Sequence, residues 1–600
     1  MMKLPTLTVA MGLMTSMALA GADFADTIYS GGDIVTVNEL QAYAEAVAVK
    51  DGKIVAVGAR DEVMKYQGKK TKVVDLQGKT LIPGFMDAHG HVFNAGIQAL
   101  SANLLAAPDG QVSDIASLQQ TLRDWVAKPE NKKLGVILGF GYDDSQLREG
   151  RHPTRQDLDA VSKDVPILII HQSGHLGVMN SKAFELMGVN SQTKDPAGGK
   201  FRREEGSQQP NGVMEETAFF GLLFPMFAKL SPKDNEIIFN AGIDIYSRFG
   251  YTTAQEGRAS SSSVKTMYGL AQKNKLKLDV VAYPDIQTAT DVIKAPYLSK
   301  TYHNGFRVGG AKLNLDGSPQ GKTAWLTQPY FVPPEGQKQG YAGYPSMKDA
   351  DALRYVEMAF KNNWQLLTHV NGDAAIDQLI GAVKQAEAKL GKADRRPIAI
   401  HAQTARLDQV ESFKELGIMP SFFPMHTFYW GDWHKNSVLG VERAANISPT
   451  GWALARDMIF TSHHDAPVAF PDSMRVYSAT VNRVTRSGEV LGPEHRVSPL
   501  VGLKTQTLWA AYQYFENKSK GSIEVGKNAD LVVLSANPLK VDPMTIVDIK
   551  VEQTIKDGKP VFTRQADSKN AMSCFESDRC YKLASHTLAA GGVFPHVHYQ

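Results

Sequence analysis

The central part of this chain alternates short apolar, strand-like segments with longer amphipathic stretches. This alternation is typical of a parallel β/α architecture, because consecutive parallel strands need a crossover segment between them. The candidate strands are Phe85–His91, Thr252–Gln255, Leu278–Tyr283, Gly310–Asp316, Gln365–Val370, Ile398–Gln403, Met419–Pro424 and Met458–Asp465. Their number is that of a closed (β/α)8 TIM barrel, which carries its chemistry at the carboxyl ends of the strands. We therefore predict an α/β fold with a barrel over residues 81–500.

Short strand-like segments separated by glycine turns occupy both ends of the chain. Residues 25–80 and 501–566 share this pattern, which predicts one discontinuous β-sandwich domain assembled from the two ends. The interval between the first two candidate strands, about residues 94–250, is far longer than an ordinary connection. We predict that it forms an inserted subdomain after barrel strand 1.

The two ends also carry signals of export. Residues 1–20 combine Lys3, an apolar stretch from residue 7 to 19 and small residues at 18–20, the pattern of a cleavable signal peptide. The apolar stretch is short for a transmembrane helix, and no later segment predicts a membrane span. The only cysteines, Cys574 and Cys580, lie in a C-terminal extension over residues 567–600. In an oxidising compartment they are predicted to form a disulfide, with two free thiols as the alternative, and we expect a periplasmic or secreted protein.

The charge balance argues against polyanionic partners. The 65 basic and 62 acidic residues nearly cancel and leave a net charge of +3. Electrostatic binding to nucleic acid or to an anionic membrane is therefore not expected. A small-molecule substrate is the expected partner, and the sequence is compatible with both a monomer and a homo-oligomer.

The first candidate strand ends in two histidines, His89 and His91, spaced i, i+2. Side chains alternate faces along a strand, so both are expected to project from the same side. Imidazole is a favoured ligand of zinc and similar metals. Alone, such a pair is more often structural than metal-binding.

Further candidate ligands stand at the ends of later strands. They are Lys312 in the fourth, His369 in the fifth, His401 in the sixth and Asp465 in the eighth. Each has an ordinary structural interpretation; Lys312, for example, faces inward and could pair with Asp316. Their recurrence at corresponding strand ends favours one shared metal site.

In this order of ligands the chain resembles the amidohydrolase superfamily, and finer motifs are similar to its YtcJ-like branch, which includes N-substituted formamide deformylases. The resemblance covers about residues 25–565. It departs from the branch at His463-His464-Asp465, where Ser commonly precedes the Asp, and in the tail with its cysteines, His596 and His598. The motifs that carry it are residues 84–91 (GFMDAHGH), 312–318 (KLNLDGS), 369–373 (HVNGD), 401–403 (HAQ), 152–159 (HPTRQDLD), 174–181 (GHLGVMNS) and 521–531 (GSIEVGKNADL).

The resemblance implies a metal-dependent hydrolase acting on non-peptide C–N amide bonds of N-acyl or N-formyl type. One divalent ion, most simply zinc, would be held by His89, His91 and Asp465, and a second by His369 and His401. Lys312, N-carboxylated by carbon dioxide, would bridge them, although a single-ion site without carboxylation stays open. A metal-activated hydroxide would attack, and Asp465 would pass the proton to the leaving nitrogen. The alternatives are hydrolysis of an ester, lactone or cyclic amide at the same centre, and a non-catalytic binding or regulatory protein on this fold.

Candidate substrate contacts are inferred less directly. They are His175 and Asn180 in the insertion, Gln320 after the fourth strand, and His426 and Trp430 after the seventh. Trp430 belongs to an aromatic cluster whose two interpretations, pocket wall and core packing, are equally open.

Overall fold

A computed structural model describes residues 24–132, 135–227, 230–334 and 336–564. The predicted signal peptide and the cysteine-containing extension lie outside these ranges and stay predictions.

The strands of the described residues are numbered in chain order. They are β1 (Thr27–Val35), β2 (Tyr43–Lys50), β3 (Lys53–Gly58), β4 (Lys72–Asp75), β5 (Thr80–Pro83), β6 (Phe85–Met86), β7 (Ala102–Asn103), β8 (Ile137–Tyr142), β9 (Ile167–His171), β10 (Leu176–Met179), β11 (Gly199–Arg203), β12 (Pro210–Glu216), β13 (Tyr251–Ala259), β14 (Asp279–Pro284), β15 (Phe306–Val308), β16 (Gly310–Asn314), β17 (Gln365–Val370), β18 (Ile398–His401), β19 (Met419–Phe422), β20 (Thr461–Ser462), β21 (Leu531–Leu534), β22 (Val551–Lys556) and β23 (Lys559–Thr563).

The α-helices of the same residues are numbered in the same way. They are α1 (Arg60–Met64), α2 (Val92–Leu100), α3 (Ile115–Ala127), α4 (Pro129–Lys132), α5 (Arg155–Asp159), α6 (Ser181–Met187), α7 (Thr217–Phe227), α8 (Pro232–Arg248), α9 (Ser261–Gln272), α10 (Asp349–Lys361), α11 (Asp373–Leu390), α12 (Leu407–Glu415), α13 (Met425–Trp433), α14 (Val441–Ala445), α15 (Thr450–Leu454), α16 (Ser473–Asn482), α17 (Pro499–Thr505) and α18 (Leu508–Gln513). Short 3₁₀ helices span Thr290–Val292, Pro493–His495 and Pro543–Asp548, and a π-helix spans His434–Val438. Over the described ranges, every helix is too short or too polar to cross a bilayer.

The predicted central strands are present as two parallel sheets. One has the order β15-β14-β13-β6, the other the order β16-β17-β18-β19-β20, and all their ladders are parallel. Backbone hydrogen bonds also cross both gaps between them, from Ile286 N to Lys312 O and from Asp465 N to His89 O. One buried cluster draws apolar side chains from both sheets, among them Val281 and Leu367. The strands therefore bring their carboxyl ends toward one region.

The two ends of the chain meet in an eight-stranded sheet. Its order is β23-β22-β21-β5-β1-β2-β3, with β4 paired to β1. The antiparallel pairing of β5 with β21 joins residues about 450 positions apart, for example Leu81 with Val533. Because β5 leads directly into β6, this sheet fixes the start of the first parallel strand.

The interval between β6 and β13 contains its own six-stranded sheet, in the order β11-β12-β10-β9-β8-β7. A separate buried cluster, including Leu118, Leu122 and Trp125 of α3, packs against it. The apolar runs of the sequence at 135–141 and 166–172 contain most of β8 and all of β9. The exact domain boundaries stay predictions.

The first parallel strand is shorter than predicted. It ends at Met86, so His89 and His91 do not lie in a strand as expected, although Nε2 of both rings still faces Asp465 Oδ1. The cause is Asp87, whose carboxylate accepts the His89 and Gln255 backbone N–H groups in place of ladder bonds. The chain then bends, and His91 becomes the residue before α2.

Candidate metal centre

The six predicted ligands converge at the carboxyl ends of the parallel strands. His89 and His91 follow β6, Lys312 lies in β16, and His369 lies in β17. The other two lie in the same five-stranded sheet as Lys312 and His369. His401 is the last residue of β18, and Asp465 follows β20. This is where parallel β/α enzymes hold their functional groups.

Asp465 is the meeting point of the cluster. Its Oδ1 lies 3.1 Å from His91 Nε2 and 3.4 Å from His89 Nε2. Its Oδ2 lies 3.8 Å from His401 Nε2. Ligand atoms of His89, His401 and Asp465 all fall within 4.8 Å of one another. One cation could therefore contact all three.

The remaining two ligands extend the cluster on either side. His369 Nδ1 faces His401 Nε2 at 3.1 Å, and Lys312 Nζ lies 3.1 Å from His89 Nε2. The alternative pairing of Lys312 with Asp316 does not form, because Asp316 accepts the backbone N–H groups of Asn371 and Gly372.

Hydrogen bonds behind the rings fix which nitrogen faces the cluster. The Gly257 carbonyl, which can only accept, lies 2.6 Å from His91 Nδ1, so that nitrogen carries the proton. Gln255 Oε1 lies 2.6 Å from His89 Nδ1, while its amide nitrogen donates to Ala88 O and to the Tyr514 hydroxyl. In both rings Nε2 is left with its lone pair toward Asp465. Such partners behind the ligands are characteristic of histidine metal sites.

Two residues of this outer layer were missing from the sequence prediction. Gln255 ends the predicted strand Thr252–Gln255 and lies in the middle of the observed β13, but an amide side chain there did not suggest a metal site. His463 was seen only as a departure from the family pattern. Its Nε2 lies 3.0 Å from His401 Nδ1, and its Nδ1 lies 2.9 Å from the Ser421 hydroxyl. It supports His401 rather than contacting Asp465.

Burial sets the charge state of the cluster. It lowers the pKa of His89, His369 and His401 well below the usual range, and neighbouring cationic groups act in the same direction. Burial also lowers the pKa of Lys312 to about 7, with the charge of Asp465 opposing part of that shift. These three imidazoles are therefore neutral, the form that binds metals.

Backbone strain is concentrated at the same place. His401, Ala402 and Asp465 have positive φ angles of 71°, 43° and 55°. Non-glycine residues in this region cost about 1–3 kcal/mol each and persist where surrounding contacts hold them, often at functional sites.

The cluster opens into a cavity of about 510 Å³. All six predicted ligands line it. Of the predicted substrate contacts, His175 lines the cavity; its Nδ1 lies 2.8 Å from Glu216 Oε2, which raises the pKa of His175 against the effect of burial.

The other predicted substrate contacts are held elsewhere by structural bonds. Asn180 caps α6, accepting from Ala183 N and Ile167 N. Gln320 is bonded through its backbone oxygen, which accepts the Trp433 indole N–H, while its buried side-chain Oε1 has no hydrogen-bond partner among the described residues. His426 and Trp430 are buried against each other; Nδ1 of His426 lies 2.9 Å from His434 Nε2, and the Trp430 indole donates to Asp143. These four residues are not among those that line the cavity.

Comparison with known proteins places these features in context. A model of the amidohydrolase family matches residues 72–562. The N-substituted formamide deformylase of Arthrobacter pascens is 25% identical over 557 residues, covering 89% of this chain and 97% of the relative. The putative amidohydrolase YtcJ of Bacillus subtilis is 24% identical over 562 residues, covering 90% and 99%. An uncharacterized metal-dependent hydrolase from Pyrococcus horikoshii shares the fold, with a TM-score of 0.69 at 23% identity over 86% of this chain and 99% of that one.

Proposed function

Because this chain belongs to the amidohydrolase family, we propose that it is an exported, metal-dependent hydrolase that cleaves a non-peptide C–N amide bond of N-acyl or N-formyl type. The observation that carries the proposal is the convergence of six ligand-type side chains, Asp465 among them, at one end of the parallel strands. The bond type draws on the deformylase relative, and export draws on the pattern of residues 1–20.

We further propose that the two parallel sheets are halves of one (β/α)8 barrel, in which β15 and β16, separated only by Gly309, count as one strand. Support comes from the sequential strand order, the backbone hydrogen bonds across both gaps and the buried cluster shared by the sheets. A barrel would carry the cluster at its carboxyl-terminal mouth.

The residues fit a divalent metal, with zinc the best match to nitrogen and carboxylate donors. Neutral rings whose far nitrogens are already bonded leave lone pairs facing one carboxylate, an arrangement that a cation would stabilise. His89, His91 and Asp465 would hold one ion, and His369 with His401 would hold the same ion or a second. When bound, the metal would polarise the scissile carbonyl and make water nucleophilic at neutral pH.

Asp465 is the group suited to move the proton. Its two carboxylate oxygens face different ligands, Oδ1 toward His89 and His91 and Oδ2 toward His401. An ionised carboxylate only accepts hydrogen bonds, so Asp465 can take a proton from water and return it to the leaving nitrogen. Lys312 is the proposed site of N-carboxylation, since a lysine with a pKa of about 7 has a large unprotonated fraction at neutral pH.

The test combines metal analysis with a substrate panel. Purified protein is expected to contain about one or two divalent ions per chain and to hydrolyse N-formyl or N-acyl amines faster than matched esters and lactones. Asp465→Asn should reduce that activity by about 100- to 10,000-fold. Asp291→Asn, at an exposed carboxylate, is the matched control. Protein that binds no metal and gains no activity on adding zinc would overturn the proposal.

A further inference from the structure

Arg258 stands beside the metal centre without being one of its ligands. It lines the same cavity and follows Gly257, the residue whose carbonyl lies against His91. Its φ angle is +56°, a conformation that L-residues with side chains rarely adopt. The backbone is therefore held in a costly conformation that turns this side chain toward the cavity.

The Arg258 side chain is anchored through only part of its guanidinium. Nε donates to Asp285 Oδ2 at 2.9 Å, and the guanidinium carbon lies 5.4 Å from the centre of the Phe220 ring. In the described part of the chain, Nη1 and Nη2 have no hydrogen-bond partner. About a quarter of the side chain is exposed (27%), so these donors are accessible from the cavity. An arginine fixed at Nε with a free Nη pair is a preorganised receptor for a planar anion.

The acidic groups of the cavity are already engaged. Asp285 Oδ1 accepts the backbone N–H groups of Gln287 and Thr288, in addition to the Arg258 contact at Oδ2. Glu256 accepts the Phe93 backbone N–H. Asp465 belongs to the metal cluster. These contacts occupy the carboxylates, whereas the Nη groups of Arg258 keep their hydrogen-bond donors for a ligand.

The wall beside Arg258 also suits a negative charge. It continues into the first turn of α9, where Ser260, Ser262 and Ser263 line the cavity. The positive end of a helix dipole favours an anion by about 0.3–1 kcal/mol, which adds to the arginine but is too small to select a ligand alone.

Part of the cavity lining is apolar. It comes from α2, the inserted sheet, α7 and α8, with the side chains of Phe93, Ile97, Phe140, Ile170, Leu223 and Ile238. The six ligand-type side chains, this apolar lining and Arg258 all border the same cavity, so one ligand can contact all three.

We propose that Arg258 determines substrate specificity by binding a carboxylate, so that the amides this protein hydrolyses are acidic and carry an apolar group, as N-formyl or N-acyl derivatives of apolar amino acids do. The inference rests on the proposed function and names the substrate class of that same site. The Nη pair of Arg258 binds the carboxylate through two parallel hydrogen bonds and positions the scissile carbonyl at the cluster.

The test compares two matched substrates, N-formyl-phenylalanine and its neutral carboxamide. Wild-type protein is expected to prefer the acid in kcat/KM. Arg258→Gln should lower the acid-to-amide ratio by about 10- to 100-fold, because two charge-assisted hydrogen bonds are lost. Arg258→Lys, which keeps the charge without the planar fork, should recover part of the ratio. The exposed Arg354→Gln variant should keep the wild-type ratio.

A binding measurement separates this inference from the proposed function. Calorimetric titration with 3-phenylpropanoate, a carboxylate that offers no amide bond, is expected to show binding that Arg258→Gln weakens and Arg354→Gln does not. If neither formyl compound is hydrolysed while this difference persists, the proposed reaction fails and the carboxylate site stands. If Arg258→Gln leaves both the substrate ratio and the titration unchanged, with its thermal midpoint intact, Arg258 does not recognise a carboxylate.

Discussion

Replacing Gln255 with leucine should weaken metal binding, because His89 would lose the hydrogen bond that orients its ring. The Gln255 side chain makes three short contacts, 2.6 Å to His89 Nδ1, 2.9 Å to Ala88 O and 2.7 Å to the Tyr514 hydroxyl. Leucine keeps the approximate volume and removes all three. Ala88 O still accepts from Gln513, and the Tyr514 hydroxyl still donates to Asp87 O, so only His89 Nδ1–H loses its sole partner.

The expected loss of metal affinity follows from the unpaired His89 Nδ1–H group. Without an acceptor at Nδ1, His89 no longer holds the tautomer and ring orientation that present Nε2 to the cluster. Removing such an outer partner typically weakens metal affinity by about 10- to 100-fold. This corresponds to about 1.4–2.7 kcal/mol. Leaving one buried donor unpaired also lowers the free energy of unfolding by about 1–3 kcal/mol.

Gln365, the first residue of β17, offers a matched control for Gln255. It is also buried, accepts from the Tyr283 hydroxyl at 2.7 Å, and donates to the backbone oxygens of Gln513 and Arg396. Gln365→Leu also leaves one buried donor, the Tyr283 hydroxyl, without this acceptor and should lower the free energy of unfolding by a similar amount. Gln365 lies at the start of β17, away from the metal ligands. Zinc dissociation constants are measured by competition with a chromogenic chelator, and unfolding free energies by urea titration. A Gln255→Leu dissociation constant within threefold of wild type, or an equal loss in Gln365→Leu, would refute the reasoning.

Two further predictions concern stability. Asp279→Asn should lower the free energy of unfolding by about 3–5 kcal/mol, because the buried Asp279 carboxylate lies 2.6 Å from Lys520 Nζ and 3.1 Å from Lys556 Nζ. The control Asp291→Asn, in an exposed ion pair, should lower it by no more than about 1 kcal/mol. Equal losses for the two variants in urea titrations would contradict this prediction. For His171, burial lowers the pKa but the hydrogen bonds and charges of two adjacent aspartates outweigh it and raise the pKa to about 9. This pairing therefore stabilises the fold fully below about pH 6.5 and loses its contribution as pH rises through about 9. The thermal midpoint should fall between these pH values more steeply in wild type than in His171→Asn, and parallel profiles would exclude the effect.

Much of the architecture was readable from the sequence. The eight predicted central strands each overlap one observed strand, and Gln365–Val370 agrees with β17 at both ends. Family membership confirms the resemblance and the assignment as a hydrolase. These successes share a cause: buried parallel strands are continuous apolar runs, and a repeated order of strand-end ligands is a chemical signature that survives low sequence identity.

Other features could not be read in this way. Asn180 and His175 belong to the same sequence motif, yet one caps α6 and the other lines the cavity. The first strand ended early because the Asp87 side chain replaced ladder bonds, a competition that hydrophobic pattern does not register. Arg258 carried no motif at all.

The sequence by itself determined the order of the parallel strands and the identity of six ligand-type residues, since both are encoded locally in apolar runs and in the residues that end them. The tertiary structure alone decided which atoms face one another. The tautomers of His89 and His91 depend on Gln255 and Gly257, more than 160 positions away in the chain. The orientation of the Arg258 guanidinium depends on Asp285, which directly follows β14 and accepts from Arg258 Nε. Hydrogen bonds act over about 3 Å in space, so their partners are set by the fold and not by separation along the chain.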